Sequence, residues 1–236
     1  MKAPIEWAKK RVGYNTLNTG DKQVMLGCAF EQVGVAGEGV LLNDLQGDFE
    51  DYDELQVASL NAKGKVAFAS YYYYTEIGGM AMEGDGWYNE DFQLVGNTMR
   101  IPVGSAFWFI PSSGAAKAVT LAGQVGAGSF PHTIKDKQSM ICSAYPVAFN
   151  PNVNSTWEGF EDYDEIQVSR VNSKGKIAFT SYYYYTEVGG MAMEGDGWYD
   201  EDFQKLTEPI CAVGQGFWLI LGNPAGHSFV ETSPLK

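Results

Sequence analysis

Phe49–Gln93, FEDYDELQVASLNAKGKVAFASYYYYTEIGGMAMEGDGWYNEDFQ, returns at Phe160–Gln204 with nine substitutions in 45 positions and a constant offset of 111 residues. A period of that length is one domain's worth of chain, well beyond the roughly 20–50 residues of a solenoid repeat. The 236 residues therefore divide into two tandem modules, 1–124 and 125–236, with the seam in the Gly/Ala/Ser stretch that starts at Gln124. Each copy is large enough to bury a core without staples. Whatever the repeated segment does, it does at two sites on one molecule.

The repeat reads as sheet. Tyr52-Asp53-Glu54-Leu55-Gln56-Val57 alternates, which puts Leu55 and Val57 on one face. Short runs rich in Val, Ile, Phe, Tyr and Trp are separated by Gly/Asn/Asp clusters, and helical periodicity is hard to find. Strands are predicted in the first module at 22–30, 52–60, 65–76, 86–92, 102–110 and 117–125. Asn61–Gly64 and its counterpart Asn172–Gly175 predict tight hairpins closed by glycine, and Glu83–Gly86 a further turn. Trp7–Gly13 reads as a strand ahead of the first module, with Ala118–Val125 and Ser228–Thr232 closing the two units. Strands at the seam can pair with either neighbour, so tight packing of the modules is expected. The fold class is all-β: two tandem duplicated β-sandwich or barrel-like modules related by pseudo-symmetry.

Lys+Arg 16 against Asp+Glu 29 gives a net charge of -13, which argues against nucleic acid and anionic lipid as partners. No apolar run reaches the roughly 18 residues of a membrane span, so no membrane insertion is expected. Met1–Arg11 lacks the apolar stretch of a signal peptide, which fits a cytosolic protein or an exported one whose leader is missing here. Cys28, Cys142 and Cys211 fall at non-equivalent places in the two copies, so they read as buried free thiols rather than a shared disulfide framework.

Three features of the repeat could carry chemistry. In Tyr71–Tyr74 and Tyr182–Tyr185 alternate rings point to opposite faces, so one pair of each run is expected inside and the other at least partly exposed. Tyr72, Tyr74, Trp87 and Tyr88, with Tyr183, Tyr185, Trp198 and Tyr199, are the candidate ligand-binding residues. Exposed aromatic faces suit stacking on sugar rings or burial against another protein; cross-strand packing within the sheet is the competing use. Glu83 and Asp85, with Glu194 and Asp196, are candidate Ca²⁺ ligands in oxygen-rich turns, although their spacing does not match an EF-hand loop and a solvated acidic surface is the alternative. Met80 and Met82 add a soft apolar patch that could fill core gaps or meet a partner.

Catalysis finds little support. His132 and His227 lie outside the repeat, and no GxSxG, HExxH, P-loop or dinucleotide fingerprint occurs. No enzyme activity and no obligatory cofactor are expected.

The segments Tyr52–Val57, Gly86–Tyr88, Val103–Trp108 and Val119–Val125, with Tyr163–Val168, Gly197–Tyr199 and Val213–Trp218, resemble the β-rich modules that recur in tandem in secreted and surface proteins of Verrucomicrobia, Lentisphaerae and related bacteria. The resemblance implies an extracellular or cell-surface, non-enzymatic role. The chain departs from it in lacking a leader and in replacing the closing Val-Thr-Leu-x-Gly-x-Val of the second unit with HSFVETSPLK, which suggests a terminal module. A non-catalytic structural or adhesive protein with two equivalent aromatic-acidic faces is the leading expectation. A carbohydrate-binding module and a self-assembling filament or array subunit are the alternatives, so the expected partners are a protein surface, a second copy or a glycan.

Overall fold

The computed structural model describes residues 12–19, 22–60, 65–79, 81, 83–134, 137–190, 192, 194–223 and 227–234. The turn expected at Asn61–Gly64, the first part of the strand expected at Trp7–Gly13, and Met80 and Met82 lie outside the described residues. The first half holds β1 (Val12–Asn18), β2 (Val24–Gly27), β3 (Val40–Leu41), β4 (Glu54–Leu60) and β5 (Val66–Tyr74). After them come β6 (Gly86–Asn89), β7 (Arg100–Ile101), β8 (Ala106–Ile110) and β9 (Ala118–Gln124). The second half holds β10 (Ser129–Thr133), β11 (Gln138–Cys142), one helical turn α1 (Pro151–Asn154) and β12 (Ser155–Glu158). It ends with β13 (Glu165–Val171), β14 (Ile177–Tyr185), β15 (Gly197–Tyr199), β16 (Gly216–Ile220) and β17 (Ser228–Thr232). The chain is all-β.

Each half is built on a five-stranded antiparallel sheet, ordered β2-β8-β4-β5-β6 in one and β11-β16-β13-β14-β15 in the other. Their registers coincide: Glu54 faces Tyr72 as Glu165 faces Tyr183, and Leu60 faces Val66 as Val171 faces Ile177. A smaller layer covers one face, β1-β9 in the first half and β10-β17-β12 in the second. Between the layers lie Leu26, Leu55, Trp87, Phe107, Phe109, Val119 and Leu121 in one core, and Ile166, Val168, Trp198, Phe217, Leu219 and Phe229 in the other. The architecture is a pair of sandwiches.

Several strands are shorter than the sequence pattern suggests. The expected strand 52–60 starts at Glu54 because Glu50–Asp53 forms a turn, with Asp53 N–H on the Glu50 carbonyl at 3.0 Å. The expected 86–92 stops at Asn89, where Phe92 N–H closes a second turn onto the Asn89 carbonyl. The expected 102–110 starts only at Ala106, after a turn that ends in Ser105 N–H on the Pro102 carbonyl. The N-terminal strand, described over Val12–Asn18, continues past the expected end at Gly13 because it pairs with the whole of β9.

The two halves meet through equivalent residues on both sides, the pattern of an isologous interface. Gly27 N–H donates to the Gly214 carbonyl at 2.7 Å, and Cys142 N–H to the Gly104 carbonyl at 2.9 Å. Trp108 meets Phe179 edge-on at 6.5 Å, and Trp218 meets Phe68 edge-on at 6.2 Å. Met25, Ala106, Trp108, Met140 and Cys142 form one apolar cluster across the seam. A Cβ on Gly27 would stand 2.3 Å from the Cys142 Cβ, and one on Gly216 2.4 Å from the Ala106 Cβ, so glycine sets how closely the sheets approach. All three cysteines are buried and free. Burial pushes the thiols of Cys28 and Cys142 up and that of Cys211 up to about 12, which leaves them unreactive.

One part of the core differs between the halves. Where the first packs Leu17, Leu121 and Cys28, the second buries His132, Glu231 and Ser143. His132 Nε2 lies 2.6 Å from one Glu231 oxygen, the Ser143 hydroxyl donates to the other at 2.6 Å, and Ala144 N–H adds a third bond. The first half is thus an internal control for a buried polar cluster. Glu231→Leu alone strands three polar partners and is expected to lower the unfolding free energy by about 3 kcal/mol or more. The triple change to the residues of the first half, His132→Leu, Ser143→Cys and Glu231→Leu, is expected to regain most of that loss in urea unfolding. A triple variant no more stable than Glu231→Leu would show that the two cores are not interchangeable.

Candidate functional site: a duplicated aromatic platform

The tyrosine run splits as alternation requires. Tyr71 and Tyr73 point inward, Tyr73 meeting Trp87 at 5.3 Å with Phe49 beside both rings. Tyr72 and Tyr74 point to the outer face of the same sheet. Tyr74 lies under a ring of aromatics: Phe92 stacks on it at 5.7 Å and 12°, Tyr52 stands edge-on at 5.5 Å, Tyr72 lies near-parallel at 6.3 Å, and Tyr88 is tilted at 5.6 Å. The second half repeats the arrangement around Tyr185, with Phe203 at 5.4 Å, Tyr163 at 5.6 Å, Tyr183 at 6.3 Å and Tyr199 at 5.7 Å.

The outer members of these clusters are in left-handed backbone. Among the described residues the only non-glycine positions with positive φ are Tyr52 (70°), Phe92 (57°), Tyr163 (73°) and Phe203 (60°). Tyr52 is the third residue of the Glu50–Asp53 turn, and Phe92 ends the Asn89–Phe92 turn beside the Asn89 N–H to Gln93 carbonyl bond. Both are places where glycine is the usual choice. An L-residue there costs about 1–2 kcal/mol, and more than for most when the side chain is bulky. All four rings are nonetheless exposed: Tyr52 53%, Phe92 49%, Tyr163 62% and Phe203 45%.

Acidic side chains shape the turns around the platform. Asp51 Oδ1 accepts the Thr75 N–H at 2.6 Å and the Thr75 hydroxyl at 2.9 Å. The turn that follows closes over the same carboxylate, so a Cβ on Gly78 would fall 1.5 Å from Asp51 Oδ2. This fold-back presents Ile77 at 99% exposure, and the matching turn presents Val188 at 100%. Beneath the Tyr52 turn, Asp53 has no exposed surface and accepts from Glu50 N–H, Ser112 N–H and the Lys117 ammonium, the last at 2.7 Å. Asp164 does the same in the second half, with Glu161 N–H, Gly222 N–H and His227 as donors.

The residues nominated from sequence separate into three groups. Tyr72 and Tyr183 lie half-buried on the platform, and Tyr74 and Tyr185 form its floor, nearly covered by their neighbours. Trp87 and Trp198 are core residues: β6 and β15 turn them inward beside Tyr73 and Tyr184. Tyr88 and Tyr199 are fully buried because their hydroxyls are held by the adjacent turns, donating to the Gly84 and Gly195 carbonyls at 2.7 Å. Asp85 and Asp196 each accept a backbone N–H, from Glu76 and Glu187, and Glu83 and Glu194 give theirs to Tyr88 and Tyr199. Among the described residues, no three His, Cys, Asp or Glu side chains are grouped to hold a metal ion. The exposed rings, Tyr52, Phe92, Tyr163 and Phe203, were not nominated; their flanking turn residues, Asp51-Tyr52-Asp53 and Asn89-Glu90-Asp91-Phe92, were the available signal.

Burial raises the phenols of Tyr71, Tyr73, Tyr74, Tyr184 and Tyr185; around Tyr74 the neighbouring phenols of Tyr52 and Tyr72 and the Asp51 carboxylate add to it. Burial alone would pull the Lys117 ammonium down, but its bonds to Asp53 and Glu50 outweigh that and hold it above the ordinary value. For all these groups the folded state binds the proton more tightly than the unfolded chain. The stability they confer is full below their unfolded values and is lost as pH climbs through and beyond them. Thermal unfolding midpoints are therefore expected to fall above about pH 10, with the phenolate absorbance near 295 nm that belongs to these buried rings appearing together with unfolding. Full phenolate absorbance in a still-folded protein would contradict this.

Comparison with known proteins leaves the geometry to stand by itself: no protein-family model, no curated protein and no solved structure matches the chain.

Proposed function

We propose that this is a non-catalytic binding protein of the structural or adhesive kind, which grips a partner surface through two equivalent aromatic platforms. The observation that carries the reading is the set of four large aromatic residues kept in left-handed backbone and left exposed, two per module. Backbone strain at exposed positions concentrates where a protein meets a ligand. The platform residues are identical in the two halves, Tyr52/Tyr163, Tyr72/Tyr183, Tyr74/Tyr185 and Phe92/Phe203, so both copies present the same rings. Two rigidly joined weak sites reach a combined strength beyond either one when both engage the same surface.

A second reading, self-association, draws on β1. Among the described residues this strand pairs with β9 alone, and it exposes Val12 at 63% and Tyr14 at 76%. Edge strands of that kind add to one another. Light scattering that shows a monomer at high concentration would remove it.

Microbalance sensors coated with insoluble polysaccharide, with polylysine or with a protein layer test the platform. The wild-type chain is expected to stay on at least one of them. The variant Tyr52→Asn/Phe92→Gly/Tyr163→Asn/Phe203→Gly is expected to lose that retention by about tenfold or more. Its unfolding free energy should move by no more than about 1 kcal/mol per site, because relief of the backbone and loss of ring contacts nearly cancel. Unchanged retention, or a loss of about 3 kcal/mol per site as for a core aromatic, would make the rings structural.

A further inference from the structure

We infer that the depression between Tyr52 and Ile77 is a binding site for a neutral sugar ring; this rests on the platform reading and names its ligand. The depression is open, about 640 Å³ in volume, and runs from Tyr52 to the Ile77 turn with Ser112, Ser113, Glu50 and Asp85 along its other sides. That combination matches a hexose or pentose. A sugar ring has apolar C–H faces and hydroxyls around its edge. One aromatic wall and one aliphatic wall suit the faces, and hydroxyl and carboxylate oxygens suit the edge.

The charge of the site selects within that class. Glu50, Asp51 and Asp85 repel anionic ligands, uronates and phosphates included. Each of these carboxylates also holds donors of its own, which fixes its place. Glu50 is paired with Lys117 at 2.7 Å and bonded by Ser113, which holds its carboxyl below the usual range. Asp51 holds Thr75 through two bonds, and Asp85 holds the Glu76 N–H. Lone pairs remain on these fixed oxygens for hydroxyl donors. Positions are also set in advance, since Asp53 and Lys117 lock the Glu50 turn and Asp51 locks the Ile77 turn. Pre-ordered groups spare the ligand the cost of arranging them.

The second half offers the same walls, Tyr163 and Val188, but not the same edge. Gly222 N–H bonds Asp164 as Ser112 N–H bonds Asp53, which places Gly222 and Asn223 where the first half has Ser112 and Ser113. The first module therefore holds the tighter site and the second a weaker one.

Calorimetric titration of the full chain with neutral gluco-, xylo-, manno- and galacto-oligosaccharides tests this, with oligogalacturonate and oligolysine as charged controls. At least one neutral series is expected to bind, and oligogalacturonate to fail. Tyr52→Asn and Ile77→Ser are each expected to weaken binding about tenfold, Tyr163→Asn threefold or less. Ile77→Ser alters a fully exposed side chain, so it reports on the site even if Tyr52→Asn unfolds the turn. Binding of a neutral series that neither variant weakens would overturn the site. No neutral binding, with retention on polylysine or protein layers intact, would overturn the sugar and leave the platform standing. Absence of all binding in both experiments would overturn both.

Discussion

Asp53 reaches no water and gives its charge to three donors from separate parts of the chain: the Glu50 amide in its own turn, the Ser112 amide after β8, and Lys117 at the start of β9. Its backbone meanwhile accepts the Tyr73 amide and so begins the pairing of β4 with β5. An ionised carboxylate in such a place is tolerated only when every lone pair is answered. Losing one donor would leave a buried charge, and the turn that holds Tyr52 would have no reason to keep its shape. Asp164 makes the same commitments with a different side-chain partner, His227 in place of Lys117. The shared requirement is thus the carboxylate and its two amides; the third partner has been free to change.

That anchor explains how a tyrosine persists where glycine belongs. The backbone penalty at Tyr52 or Phe92 is about 1–2 kcal/mol, and an aromatic pair returns about 0.5–1.5 kcal/mol. The two nearly cancel, so contact with Tyr74 alone does not favour a ring over glycine by any useful margin. Stability therefore gives a weak account of four such residues at matching places in both halves. The proposed role outside the folded chain, in what the rings meet, would supply the missing term. The same logic separates them from Trp87 and Trp198, whose burial is a sufficient account of their presence.

The sequence carries the sheet and hides the site. Alternation in Tyr52–Val57 and the glycine-rich turns suffice to read an all-β chain, because a two-residue period and turn chemistry are local properties. The doubled segment shows that two similar halves follow. Strand ends were misjudged where a turn residue is itself aromatic: Tyr52 and Phe92 look like strand residues, and nothing in their identity announces positive φ. For the same reason the eye goes to Trp87 and Tyr88, large and consecutive, when the sheet turns one into the core and a hydrogen bond to Gly84 covers the other. The two histidines lie outside the repeat, and each pairs with a carboxylate distant in the chain, Glu231 for His132 and Asp164 for His227; such pairings are set only by the tertiary fold.

The seam and the platform share one face of each five-stranded sheet. Met25, Ala106 and Trp108 lie toward the β2-β8 side and are covered by the other half; Tyr72 and Tyr74 lie toward β6 and are not. Between them runs a polar strip in which Gln56 donates to Glu54 at 2.8 Å, matched by Gln167 and Glu165 at 2.9 Å. Sliding the halves to bury the platforms would strip water from these amides and carboxylates. The cost of burying a polar group without full compensation is of the order of 1–3 kcal/mol each, and four would be affected. Gly27 and Gly216 fix the approach from the other side, since neither position has room for even one added carbon. The seam is therefore bounded both by contacts that need glycine and by polar groups that need solvent, and two open platforms at a fixed separation follow from those bounds.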